Sequence, residues 1–157
     1  MTRAEPRTEP VPADVAQRAR AVRGLALAAR SLEHAAGDLT LAQYRVLAFV
    51  AAGTERSSLV AEGLALAKPT VTAAVDGLVE RRLLTREAVA GDRRSFRLAV
   101  TPEGAAALRT AEQSMSERLD QVLEFSRDPD ALLAALGDLD DALADRMRAR
   151  LRSQARP

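Results

Sequence analysis

Lys68, Pro69, Thr70, Thr72 and Ala73 place one cation, two hydroxyls and small apolar groups at the start of a helix-like stretch. Such a set makes and breaks no covalent bond. Its chemistry is hydrogen bonding and close contact, and a helix with a polar tip and an apolar flank suits the DNA major groove. Further on, Asp92-Arg93-Arg94 follows Gly91 at the expected tip of a hairpin. An Arg carried there can enter a narrow minor groove, where the potential of a duplex is most negative. A solvated turn accounts for Gly91-Asp92 but not for the adjacent cations. Arg97 either shares a face with Ser95 or enters an ion pair.

Reaction chemistry has little to work with. There is one His and no Cys, which excludes a thiol sensor, a zinc ribbon and a His-rich metal set. No Gly-rich phosphate loop or Ser/His/Asp spacing occurs. Asp138, Asp140 and Asp141 read as a solvated helical face. The chain is expected not to be an enzyme and to need no metal or cofactor.

Val60 to Pro102 must position the polar groups. A compact helix from Leu59 to about Leu64, capped by Ser57 or Ser58, leads through a tight turn into a second helix. There Val71, Val75, Leu78 and Val79 mark a buried side. The pattern then alternates: Thr85 to Val89, a turn at Ala90-Gly91-Asp92, and Phe96 to Val100. This is a helix-turn-helix with a basic wing. Upstream, Ala13 to Ala36 is helical, with Val15, Ala19, Val22, Leu25 or Ala26, Ala29 and Leu32 recurring every three or four residues, and Gly37-Asp38 stops it. Thr40-x-x-Gln43 is a capping box for a helix from Leu41 to Ala52 that draws its buried face from Leu41, Tyr44, Val46, Leu47 and Val50. Thr101-Pro102-Glu103 caps a helix running to about Arg127. Asp128-Pro129-Asp130 breaks the chain, and the last helix carries Leu132, Leu136, Leu139, Leu143 and Met147 at near-heptad spacing.

The ordered combination resembles the MarR family of winged helix-turn-helix regulators, over roughly residues 15 to 150. It is carried by Leu64-x-Leu66-x-Lys68-Pro69-Thr70-Val71-Thr72, by Val75-Asp76-x-Leu78-Val79-Glu80-Arg81-Arg82-x-Leu84, by Gly91-Asp92-Arg93-Arg94, and by Leu98-x-Val100-Thr101-Pro102-Glu103-Gly104. Leu39-Thr40-x-x-Gln43-Tyr44-x-Val46-Leu47 fits the family's second helix. The resemblance implies a mainly α fold with a small β-hairpin wing: a winged helix-turn-helix domain at 37–102, dimerisation helices at 13–36 and 103–153, and an arm at 1–12. It implies DNA contacts from Lys68, Pro69, Thr70, Thr72 and Ala73, from Arg93 and from Arg94, which Asp92 orients. Ser57 and Ser58 stand where such proteins approach a phosphate, as helix N-termini favour, and a plain N-cap explains either serine equally well. Two positions depart from the pattern. Ala67 replaces a frequent Ser, and Ala73 stands where relatives often carry an Arg, so an apolar touch replaces a bidentate guanine contact.

The resemblance further implies a cytoplasmic homodimeric repressor on a palindromic operator, released by a small aromatic or anionic effector. Val15, Val22, Leu136, Leu139, Leu143 and Met147 supply the dimer surface. His34, Tyr44, Arg45 and Phe49 lie where a family-type pocket forms, and each also has a plain structural reading. The alternative is a dimeric helical protein–protein adaptor whose winged domain does not read DNA.

Composition agrees with such a body. The chain has 157 residues, 47% of them hydrophobic, with 3% aromatics and no Trp, so helices of Leu, Val and Ala must make its core. The formal charge is +1, but residues 54 to 102 carry net +2 and residues 103 to 157 net −3. The positive face is local. Residues 1 to about 12, polar and Pro-rich, are expected to be an idle tail and not a signal peptide, and no run reaches membrane-spanning length.

Overall fold

Thr40 and Gln43 cap each other reciprocally at the start of the core. Thr40 Oγ1 accepts from Gln43 N at 3.2 Å, and Gln43 Oε1 accepts from Thr40 N at 3.1 Å. The computed structural model describes residues 13–53, 57–89 and 92–154. Within them the order is α1 (Ala13–Ala35), α2 (Leu41–Ala51), α3 (Ser57–Leu64), α4 (Lys68–Glu80), β1 (Leu84–Val89), β2 (Asp92–Val100), α5 (Pro102–Leu123) and α6 (Pro129–Gln154). The strands form a two-stranded antiparallel sheet. The fold is mainly α with a small hairpin, as the sequence patterns require.

The chain divides at Ser31 into two compact units. In the first, α1 buries none of its side chains: Val15 is 47% and Val22 65% exposed. In the second, beginning at Leu32, the deepest side chains are Val46 and Leu47 of α2, Val60 of α3, Leu78 of α4, Leu84 of β1 and Leu98 of β2. Leu108, Ala111 and Met115 of α5 close over them. The core is aliphatic, and no polar side chain is buried among the described residues. Fully burying each Leu or Val removes apolar surface worth about 1.5–3 kcal/mol.

The hairpin joins α5 through one hydroxyl. Thr101 Oγ1 donates to Arg82 O at 2.7 Å and accepts from Gly104 N at 2.9 Å, while Thr101 N donates to Leu83 O at 3.2 Å. Pro102 takes the first helical turn, where its missing N–H costs nothing. Here α5 approaches the strand entry so closely that a Cβ on Gly104 would overlap the Leu83 carbonyl. Asp128 caps α6 through Oδ1, accepting from Ala131 N at 3.0 Å.

Several boundaries differ from the sequence expectation. Ser57 and Ser58 are inside α3, not ahead of it. The hairpin is longer on both sides: Leu84 pairs with Val100, and β2 already begins at Asp92, opposite Val89. The expected three-residue turn therefore contracts, because Asp92 enters the ladder. α5 stops at Leu123, leaving Phe125 outside it and 90% exposed. The expected arm at 1–12 lies outside the described residues.

Candidate nucleic-acid interface

The α4 helix separates its two faces cleanly. Val71, Ala74, Val75 and Leu78 are buried, whereas Lys68, Pro69, Thr70, Thr72 and Ala73 are all exposed. Ala67 occupies the N-cap without a side-chain hydrogen bond, and Pro69 supplies the preset φ of a first turn. Thr72 Oγ1 donates to Lys68 O at 3.0 Å, so its proton is used within the helix and its lone pairs remain as acceptors. Lys68, Thr72 and Asp76 follow one another at four-residue spacing along one face. Sequence reasoning missed Asp76 as part of this face; the spacing from Lys68 was the available signal.

Behind α4 the turn from α3 passes through Ala65 at φ 50°, a left-handed conformation that disfavours a Cβ. Arg45 holds this turn: its Nη2 donates to Leu64 O at 2.7 Å, satisfying a carbonyl at the α3 terminus. The hairpin continues the surface. Its register runs Arg86↔Leu98, Glu87↔Arg97 and Ala88↔Phe96, then slips so that Val89 pairs with Asp92. Among the described residues, that register gives Arg93, Arg94 and Ser95 no opposite partner. The side chains of Asp92, Arg93, Arg94, Ser57 and Ser58 lie outside the described residues, as does the turn at Ala90-Gly91.

Of the residues considered for an effector pocket, Arg45 lines a cleft of about 420 Å³ with Glu62, Leu64, Asp140, Leu143 and Met147, between the end of α3 and α6. His34, Tyr44 and Phe49 are not among its lining residues. His34 is exposed near the end of α1, and the Phe49 ring fills the space where a Cβ on Gly63 would stand. Tyr44 is partly buried in α2; burial raises the pKa of its phenol above the usual 10.0, reinforced by the charges of Glu112 and Asp140.

That shift has a measurable consequence. A phenol whose folded pKa lies above its unfolded value resists ionising only while folded. Stability is therefore unaffected below about pH 10 and falls as pH rises beyond it, until the folded group ionises too. Tyr44 is the chain's one Tyr, and Trp is absent, so its phenolate absorbance reports this group alone. Thermal melts across the alkaline range are expected to show a steeper loss for the native chain than for Tyr44→Phe. Identical slopes would remove Tyr44 from the alkaline response.

Among the described residues no group of acidic, His or Cys side chains is arranged to hold a metal, and no helix is long and apolar enough to cross a membrane.

Comparison with known proteins places this architecture. The model of the MarR family matches residues 37–95, the stretch running from the end of α1 into the wing. No curated protein matches the chain. Among solved structures, the transcriptional repressor CouR bound to a 23-mer DNA duplex is 28% identical, with TM-score 0.67 over 85% of this chain and 99% of that one. Wild-type MarR from E. coli, in its apo form, is 23% identical, with TM-score 0.66 over 83% of this chain and 97% of that one. A MarR-family regulator from a Rhodococcus species is 22% identical, with TM-score 0.68 over 87% and 96%. The last two share the fold. Taken with the ordered helix, wing and Thr101 joint, these matches show that residues 37–95 resemble the MarR family and that the chain shares the winged helix-turn-helix fold of its solved members.

Proposed function

We propose that the chain is a DNA-binding transcriptional repressor, with α4 as recognition helix and the β1–β2 hairpin as wing. The observation that carries this reading is the division of α4 into a buried aliphatic flank and an exposed edge of Lys68, Pro69, Thr70, Thr72 and Ala73. That edge offers one cation, hydroxyl acceptors and small apolar groups to a major groove. Ala73 adds no hydrogen bond, so the wing cations Arg93 and Arg94, with Asp92, bear more of the affinity. Ser57 and Ser58 at the start of α3 approach a phosphate. The similarity to a repressor bound to duplex DNA supports the same use of this surface.

The working form is a homodimer, with Val15 and Val22 of α1 and Leu136, Leu139, Leu143 and Met147 of α6 at its interface. The exposure of Val15, Val22 and Leu143 supports this, because large apolar side chains on amphipathic helices favour burial by a partner. A dimer places two recognition helices one helical turn apart on a palindrome. An aromatic or anionic effector that favours a mismatched spacing would release it. Arg45 and Tyr44 are the polar candidates for such a ligand, with His34 and Phe49 as neighbours in sequence.

Selection of duplexes from a randomised pool by the full chain tests the reading. The expected product is an inverted repeat with half-site centres about 10 base pairs apart, bound in preference to scrambled DNA and weakened by salt. Selection without any shared sequence would leave only non-specific binding. No binding at any salt would favour the adaptor, in which the winged domain meets protein.

A further inference from the structure

We propose that Arg86 and Asp76 form a positioning pair that sets the pitch of the wing against the recognition helix, and so keeps major-groove and minor-groove contacts in step. This rests on the DNA-reading function proposed above. Alternation along the hairpin puts Leu84 and Arg86 of β1 on the same face as Phe96 and Leu98 of β2. Leu84 and Leu98 are sealed in the core, and Phe96, nearer the tip, is 36% exposed. Where the hairpin leaves the core, its inner face thus changes from aliphatic to cationic.

Arg86 uses an edge and a face of its guanidinium. Its Nη2 donates to Asp76 Oδ1 of α4 at 2.8 Å, and its central carbon lies 5.3 Å from the centre of the Phe96 ring. One side chain therefore links β1, β2 and α4. Asp76 lies one turn beyond Thr72 on the face that carries Lys68, so the link ends on the DNA-reading edge itself. The pair stays accessible, with the Arg86 side chain 33% and the Asp76 side chain 56% exposed. At such exposure it adds little to global stability, and its effect is on geometry.

The pair also resolves an electrostatic conflict. An unpaired carboxylate at Asp76 would face phosphates, and Arg86 offsets it without itself occupying the edge. Two roles then make opposite predictions for Asp76→Asn. A pair that only neutralises charge predicts tighter binding when the carboxylate is lost. A pair that positions the wing predicts weaker binding to the operator.

The test uses the full chain with Asp76→Asn, Arg86→Gln, their combination, and Arg86→Lys, against the selected operator and a scrambled duplex. Each single change is expected to weaken operator binding about fivefold, with scrambled-duplex affinity within about twofold and Tm within about 2 °C. The combined variant is expected to be no weaker than the weaker single, the signature of a shared interaction. Arg86→Lys recovers part of the loss, since it keeps the charge but not the planar guanidinium. Hydrogen exchange of the free protein should show faster exchange toward the hairpin tip in both Asp76→Asn and Arg86→Gln. Tighter binding by Asp76→Asn, or equal losses on both duplexes, would overturn the proposal. If the native chain selects no operator, the DNA-reading function fails separately. Exchange then decides the pair: unchanged protection in the hairpin overturns it, and faster exchange upholds the link between wing and helix.

Discussion

Gly104→Ala is expected to lower the unfolding free energy by about 3 kcal/mol, the upper end of overpacking costs. In a chain of this size that corresponds to a Tm lower by about 6–12 °C, read in a thermal melt. The reason is local. The added methyl would overlap the backbone carbonyl of Leu83, which cannot rotate aside as a side chain can. That carbonyl already accepts from Thr101 N, and the neighbouring Arg82 carbonyl accepts from the Thr101 hydroxyl. Relieving the clash means parting α5 from the strand entry and loosening the bonds that define the joint. Gly137→Ala is the control: it lies within α6 with nothing within 4 Å of an added Cβ, and is expected to gain about 1 kcal/mol through helix propensity. Equal melting of the two variants would show that the joint yields without cost.

The largest functional effect is expected from Arg93→Ala combined with Arg94→Ala. Operator affinity should fall by about a hundredfold at low salt, and the slope of log affinity against log salt should flatten by roughly two, one for each lost cation. These residues occupy the irregular stretch of β2, where the register slips between Ala88↔Phe96 and Val89↔Asp92. Replacing Arg by Ala keeps the backbone groups that pair strands, so the native Tm is expected to be kept. The outcome that would sink the wing assignment is an unchanged salt slope. Affinity and slope both kept in the double variant would instead point to Lys68 and its neighbours as the dominant contact.

The order of elements was legible because local signals and burial agree. Thr40 with Gln43, Thr101 with Gly104, and Asp128 with Ala131 each cap a helix by hydrogen bonds reaching three residues, and Pro102 and Pro129 follow two of the caps. Val71, Val75 and Leu78 announced the buried flank of α4, and all three are buried. The hairpin register was less legible. Gly91-Asp92 reads as a turn by residue type, yet pairing of Asp92 with Val89 is decided across strands. Arg45 shows the same limit at a polar site. Its sequence context suits a carboxylate, but its guanidinium meets Leu64 O, nineteen positions away, once α2 packs on α3. Asp76 and Arg86 were individually unremarkable, and only docking of the hairpin on α4 makes them a pair.

The Thr101 joint also gives the hairpin a lever. α5 has 22 residues, so it extends about 33 Å from its anchored end. With Thr101 bonded to Arg82 on one side and to Gly104 on the other, rotation of the helix base and of the hairpin root are mechanically shared. A tilt of about 5° at that root sweeps the far end of α5 through about 3 Å, for a rod of this length. Conversely, a displacement of that size applied near Leu123 reaches the hairpin root as a few degrees of turn and shifts Leu108, Ala111 and Met115 against the core on the way.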